Sequence, residues 1–285
     1  MNQYKKTGYL HHAFQIFHIK DQVPASFQYH YHDFNKILLF LSGNVSYHIE
    51  GKHYSLLPQD IVLLQAGQIH KPVITGNTPY DRIILYVSTD FLNSYKTDSY
   101  DLNYCFQKSQ KEHSNVFRSN TASMTELMSV IHRLDYAKEH PGYAASLYEH
   151  VLLLDFLIQL NRMFLSNESN SIRENPASSQ TVIDIIQYIQ EHLTSDLSIE
   201  SIASCFFLNR YYLMHLFKQE TGYTIGNFIT QKRLLNAGTL LLNGYNSTDA
   251  CFQSGFKNYS TFSRAFKKEF EVSPKQYKNK WNRNL

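Results

Sequence analysis

Residues 251–277 read CFQSGFKNYSTFSRAFKKEFEVSPKQY. Phe262, Phe266 and Phe270 recur every fourth residue, the spacing of one face of an α-helix. Arg264, Lys267 and Lys268 fall between them, on other faces, with Lys257 and Lys275 on either side. The phenylalanines read as a small core and the cations as a surface that waits for an anionic partner or for water.

The stretch has a counterpart upstream. FFLNRYYLMHLFKQE (206–220) aligns with GFKNYSTFSRAFKKE (255–269) at a constant offset of 49. Phe207 then meets Phe256, Asn209 meets Asn258, Phe217 meets Phe266, Lys218 meets Lys267 and Glu220 meets Glu269. A short helical pattern precedes each copy: LSIESIASC (197–205) and STDACFQS (247–254). Asn209 and Asn258 stand where a side chain caps the helix that follows, accepting bonds from its unpaired first amides. A short helix, a tight turn and a capped second helix make a helix-turn-helix unit, here present twice.

Helical spacing separates the faces. Leu213, Leu216 and Phe217 point inward in the first copy, and Phe262, Ala265 and Phe266 in the second. Arg210, Tyr211, Met214 and His215 then face out in one, and Tyr259, Ser260, Ser263 and Arg264 in the other. Both sets follow i, i+1, i+4, i+5, a single stripe along a helix. A recognition helix presents such a stripe to base edges, flanked by groups that meet phosphates; Lys218, Lys257, Asn258, Lys267 and Lys268 occupy those flanks. Solvated faces of an all-α domain would explain the charge alone. The two matched stripes favour double-stranded DNA.

Upstream, SNESNSIRENPASSQ (166–180) is polar and reads as a linker. Before it, residues 121–165 carry apolar residues at i, i+3, i+4 and i+7, as amphipathic helices do. Val151, Leu154, Ile158 and Leu165 form one stripe of the second helix, and Leu153, Leu157 and Leu160 another. One stripe covers a neighbouring domain, and the other is left for a second chain. Residues 14–91 read as short strands: KILLFL (36–41), NVSYHIE (44–50), DIVLLQ (60–65) and RIILYVS (82–88), separated by turn residues. Closely spaced strands of this length predict a sandwich or small barrel.

Composition agrees with an ordinary two-domain protein. Of 285 residues, 43% are apolar, enough for packed cores. No apolar run approaches the roughly 18 residues of a membrane span, and no secretory leader is expected. Cys105, Cys205 and Cys251 are too few and too scattered for a disulfide framework or zinc module, so the cytoplasm is the expected compartment. The net charge is only +3, but residues 257–283 hold eight basic and two acidic side chains.

From about Thr181 to Trp281 the chain resembles the AraC/XylS transcriptional regulators. Gly255, Phe256, Asn258, Ser260, Phe262, Arg264, Phe266 and Lys267, then Ser273, Pro274 and Tyr277, follow the pattern of that family's second helix-turn-helix. Ala203, Leu213, Phe217, Lys218, Thr221 and Gly222 match its first, and QKRLLNAGTLLLN (231–243) the helix that joins them. Met214 and His215 depart from the longer hydrogen-bonding residues usual there, Cys251 stands for Ala, and Glu271 for Gly. The strand region resembles the cupin-like sensor of these regulators through His30 and His32 of HYH, Gly43, PQD (58–60) and AGQIH (66–70).

The resemblance implies an α+β two-domain protein: a cupin-like β-barrel followed by helices, then an all-α domain with two helix-turn-helix units. Residues 1–120 would sense a ligand, 121–165 self-associate, 166–180 link and 181–285 bind DNA. Metal-binding cupins use two histidines of an HxH, a glutamate and a distal histidine. Here His30, His32 and His70 match, whereas Lys36 falls where the glutamate belongs. A cation there opposes a metal and favours an anionic or polyhydroxy ligand, with Phe14 and Tyr47 as further lining; three imidazoles could still hold zinc, or be structural. The expectation is a cytoplasmic, homodimeric regulator with a small-molecule effector, related to sugar metabolism, and no cofactor, metal or membrane partner. The alternative is a metal-dependent cupin enzyme with a basic helical tail.

Overall fold

The computed structural model describes residues 10, 13–22, 26–166, 169–172 and 179–281. The chain falls into two compact units, one built mainly from residues 6–178 and the other mainly from 179–285.

The first unit opens with seven strands: β1 (Phe14–Asp21), β2 (Asn35–Ser42), β3 (Val45–Ile49), β4 (Lys52–Ser55), β5 (Asp60–Leu64), β6 (His70–Ile74) and β7 (Tyr80–Val87). Two short helices, α1 (Thr89–Ser94) and α2 (Tyr104–Lys111), lead to strand β8 (Val116–Ser119). Helices α3 (Thr121–Glu139) and α4 (Ala145–Leu165) and strand β9 (Ser169–Ser171) complete it. One sheet has the order β1-β7-β2-β5-β8-β9 and the other β4-β3-β6.

Side-chain parity explains why the central strands read as unbroken apolar runs. Leu38 and Phe40 of β2, with Val62 and Leu64 of β5, join Val45, Tyr47, Ile49, Tyr54 and Tyr80 in the core between the sheets. Their neighbours Ile37, Leu39, Ile61 and Leu63 face the opposite way. There they meet Leu127, Ile131 and Leu134 of α3 and Leu153, Phe156, Leu157 and Leu160 of α4. Successive residues of a strand alternate between faces, so burial of both faces demands continuous apolar sequence. This is the cupin-like β-domain with its layer of helices.

Polar groups pin the periphery. Buried Asn161 of α4 accepts a bond from the Cys105 amide at 2.8 Å and donates to Leu102 O at 3.0 Å, which fastens the start of α2. Asp60, from the PQD turn, is fully buried and takes two bonds from the Arg118 guanidinium of β8, at 2.7 and 3.0 Å. Residues 169–171 correct the expected linker: they form the edge strand beside β8. Residues 167–168 and 173–178 of that segment lie outside the described residues.

The second unit is helical throughout its described residues: α5 (Gln180–Glu191), α6 (Ile199–Cys205), α7 (Arg210–Thr221), α8 (Ile225–Leu242), α9 (Ser247–Gln253), α10 (Tyr259–Phe270) and α11 (Pro274–Trp281). The pairs α6–α7 and α9–α10 are the two helix-turn-helix units, and α8 joins them. Val182, Ile185, Ile186 and Ile189 bury one stripe of α5. Leu213 and Phe217 are buried in the first unit, and Phe262 and Phe266 in the second. Both caps form: Asn209 Oδ1 accepts from the Tyr211 amide at 2.8 Å, and Asn258 Oδ1 from the Thr261 amide at 3.0 Å.

The constant offset of 49 fails at the turns. The caps Ser198 and Asn246 open α6 and α9, a spacing of 48, whereas Asn209 and Asn258 are 49 apart. Turn bonds agree with this: Leu208 N donates to Ala203 O, as Phe256 N does to Cys251 O. Phe256 therefore corresponds to half-buried Leu208, and Phe207 corresponds to Gly255. Both occupy positive φ, +53° for Phe207 and +93° for Gly255, and Phe207 is 97% exposed. The second turn holds one more residue, Lys257.

Gly255 has a second reason to be glycine. A Cβ there would lie 2.6 Å from Leu193 O and 2.8 Å from Arg233 Nε. Gly255→Ala is expected to destabilise the second unit by more than about 1 kcal/mol, and Phe262→Ala by roughly 3–5 kcal/mol. Hydrogen exchange of α9 and α10 in the full chain measures both; native-like protection in either variant contradicts this packing.

Candidate functional sites: a paired helix surface and a histidine-lined barrel

In the first helix-turn-helix, Arg210, Tyr211, His215 and Lys218 are exposed and Met214 is half-buried. Arg210 is occupied: its guanidinium donates to Tyr211 Oη at 2.6 Å, sits 4.6 Å from that ring's centre and lies 3.6 Å from Glu200. In the second, Lys257, Asn258, Tyr259, Ser260, Arg264, Lys267 and Lys268 are exposed and Ser263 is half-buried. Arg264 Nε donates to Ser260 O at 3.3 Å, within its own helix. Lys257 and Asp196, both well exposed, pair at 2.7 Å. Asn258 spends its side-chain oxygen on the cap, which fixes where the following residues start.

Lys278, one of the eight basic residues of 257–283, donates its ammonium to Gly244 O and Tyr245 O just past the end of α8. Exposed Phe207 and Tyr212 join the outer surface, at 97% and 57% exposure. The offset of 49 had hidden Phe207 by placing it against Phe256; alignment with Gly255 would have exposed it.

The barrel gathers residues distant in sequence. His30 and His70 exchange backbone bonds at 3.0 and 2.9 Å, and Gly67 N donates to His32 O at 2.7 Å, so the HYH and AGQIH segments are stitched together. The His30 and His70 ring centres are 4.4 Å apart, and His32 lies 5.1 Å from each. His30 Nδ1 bonds Gln28 O and His70 Nδ1 bonds Gln68 O, both at 2.8 Å. Each ring thus donates from Nδ1 and keeps the Nε2 lone pair. Nε2 of buried His70 has no hydrogen-bond partner.

Lys36 shares this core. Its ammonium donates to Tyr47 Oη at 3.0 Å, and the Tyr47 ring stacks on His70 at 5.9 Å. Burial, and next the nearby Arg82, push the Lys36 amine down to about 7. Arg82 is itself paired with Asp21 at 2.6 Å. Burial lowers His30 to about 4, and burial followed by Lys36 holds His70 well below the usual imidazole range. Around neutral pH His30 and His70 are neutral and the lysine is poised between its two forms.

One ring nitrogen from each of His30, His32 and His70 lies within 4.8 Å of the others, a spacing near that of zinc ligands. The fourth group beside them is an amine, not a carboxylate. Its protonated form adds positive charge and opposes a cation held by the three rings.

Phe14 is not part of this group. Its side chain shares a face of β1 with Ile16, packs in the helix-side core, and meets the His150 ring edge-on at 5.5 Å. Residues of the other parity, Phe17 and Ile19, face the barrel core.

Residues 15–154 match the model of the AraC-like ligand binding domain, and residues 202–280 that of a helix-turn-helix domain, together about three-quarters of the chain. The chain belongs to the AraC/XylS family of transcriptional regulators. Among curated relatives, the HTH-type transcriptional activator RhaS of Enterobacter sp. (strain 638) is 25% identical over 266 residues, 90% of each chain. RhaS of Citrobacter koseri is 24% identical over 261 residues, again 90% of each. Among solved structures, the C-terminal domain of AraT from Geobacillus stearothermophilus is 35% identical, covers 36% of this chain and 86% of its own, and has a TM-score of 0.35. ToxT from Vibrio cholerae covers 94% and 98% at 16% identity, with a TM-score of 0.37. As an AraC-family regulator the chain combines a ligand-binding domain with a DNA-binding one. No described helix is long and apolar enough to cross a membrane.

Proposed function

We propose that the chain is a cytoplasmic, homodimeric transcription activator that binds specific DNA sequences and answers to a small polar metabolite, a sugar or sugar acid. The observation that carries the DNA reading is the pair of capped helices, α7 and α10, with outward stripes in the same positions. Tyr259, Ser260, Ser263 and Arg264 meet base edges, and Lys218, Lys257, Lys267 and Lys268 meet phosphates. Activation, rather than repression, is proposed from the curated relatives named activators.

The effector reading rests on the barrel's chemistry. His30, His32, His70, Lys36 and Tyr47 gather hydrogen-bonding groups around one buried amine, a set suited to hydroxyls or a carboxylate. A metal-dependent cupin enzyme, the other class open to this fold, needs a donor set that Lys36 disrupts.

Self-association rests on α4. Leu153, Leu157 and Leu160 are buried against the sheet, whereas Leu147, Val151, Ile158 and Leu165 are 41–66% exposed, with half-buried Leu154 among them. These five follow one another at steps of four, three, four and seven, the heptad seam that pairs two helices. Tyr148 and Tyr136 are exposed beside it.

Three outcomes are expected. Replacing Lys267 and Lys268 with Ala weakens binding to all DNA sequences alike and flattens its salt dependence, and Arg264→Ala lowers affinity for the selected site with thermal stability within about 1 kcal/mol; salt-independent binding in the native chain would falsify the DNA reading. A thermal-shift screen of sugars, sugar acids and sugar phosphates on the full chain finds the effector class. If the effector is an anion, its affinity falls as pH rises through about 7, because the Lys36 ammonium is lost, and Lys36→Met removes that dependence. Finally, sedimentation at micromolar concentration gives a dimer that Val151→Glu with Ile158→Glu converts to monomer; a native monomer with and without DNA counts against the seam.

A further inference from the structure

The two outer stripes differ in chemistry. The second offers small hydroxyls and a guanidinium, Ser260, Ser263 and Arg264, beside the ring of Tyr259, 39% exposed. The first offers Tyr211, 63% exposed, half-buried Met214 and the exposed imidazole of His215, and its one guanidinium, Arg210, is engaged by Tyr211 and Glu200. Phe207 stands two residues before the cap of the same helix, almost wholly exposed.

Phe207 is the odd residue of the three. At φ +53° it holds a backbone conformation that the equivalent Gly255 adopts freely. Its ring gains no burial in return, so nothing within the fold accounts for a large side chain there. A strained, exposed aromatic at the mouth of a recognition helix points to a partner outside the fold. The partner that reaches this end of α7 is the DNA itself, because N-terminal residues of a recognition helix meet base edges.

We propose that the first helix-turn-helix unit reads thymine through its 5-methyl group, with Tyr211 and Met214 in contact and Phe207 extending the same apolar surface. This rests on the DNA-binding reading above and names the base chemistry it uses. Among the four bases only thymine carries an apolar group on its major-groove edge. Adenine, guanine and cytosine present donors and acceptors that a Tyr ring face, a thioether and a Phe ring leave without partners, at the desolvation cost of each. The second unit, with hydroxyls and a fork, suits the polar edges that the first would reject. The chain thereby discriminates one end of its site by methyl groups and the other by hydrogen bonds.

The test uses the full chain and a duplex enriched by it from a random library. Footprinting of the native chain and of Arg264→Ala assigns which half of the duplex each unit covers. Thymines are then replaced by deoxyuridine, one half at a time, which deletes the methyl and nothing else. In the half covered by α7, each contacted position is expected to weaken binding by about fourfold, the worth of one buried methyl; in the other half, binding is unchanged. Tyr211→Ser should erase the deoxyuridine penalty, and Phe207→Gly should reduce affinity while its melting temperature stays level or rises. Equal affinities for thymine and deoxyuridine duplexes overturn the methyl reading and leave DNA binding standing. A penalty that survives in Tyr211→Ser assigns the methyl contact elsewhere and overturns it too. Failure of the library to enrich any sequence removes the specific-binding reading and this one together.

Discussion

The ligand-binding unit depends on the burial of β2, β5 and β7 on both faces. One face closes the core between the sheets and the other carries α3 and α4. A sheet in this position cannot slide by one residue, because a slip would exchange its two apolar sets and drive Lys36 toward the helices. The register Lys36 opposite Leu64 and Tyr86 is therefore held from both sides. With that register held, the lysine amine is committed to the barrel, where Tyr47 is its hydrogen-bonding neighbour.

Much of this was legible in the sequence, for identifiable reasons. KILLFL, DIVLL and RIILYV announce themselves because two-sided burial removes polar interruptions. The helices of residues 121–165 do so because α3 and α4 each bury a long stripe. The strands FQIFHIKD, KHYS, HKPVI and VFRS are fainter: they are edge or short elements that mix burial with exposure, and their order comes from pairing with neighbours. The helix α2 depends on Asn161, 56 residues away from Cys105, and no local pattern encodes such a bond. At the barrel site His30, His32, Lys36, Tyr47 and His70 converge as the motifs implied. Phe14 does not, because one residue of strand parity turns it to the helix side. Edge strand β9 escaped because three small polar residues look like linker and owe their place to β8.

The duplicated domain exchanges its glycines crosswise. In the first unit the turn holds Phe207 at positive φ, while the end of α7 is closed by Gly222 at +75°. In the second the turn holds Gly255, while the end of α10 is closed by Glu271 at +62°. Each copy thus bears one bulky residue in left-handed backbone, a cost of about 1–2 kcal/mol, at the position where the other copy is relaxed. Gly255 is held by crowding as well as by φ, so the exchange could not run the other way at the turns. Neither copy is an idealised version of the other, and a consensus built from both would erase what distinguishes them.

In the proposed reading that inequality carries over to the DNA. The turn before α10 is one residue longer than the turn before α7, and the two helices carry different side chains outward. Rotating the chain by half a turn about its own middle would not return the same surface. With the base contacts proposed above, a stretch of duplex that fits one chain has a head and a tail, and reversing it end for end would bring a guanidinium to the place proposed for a ring. Such a site need contain no palindrome. It works as an arrow rather than a mirror, and whatever the chain does at a promoter is bound to the direction in which that arrow points.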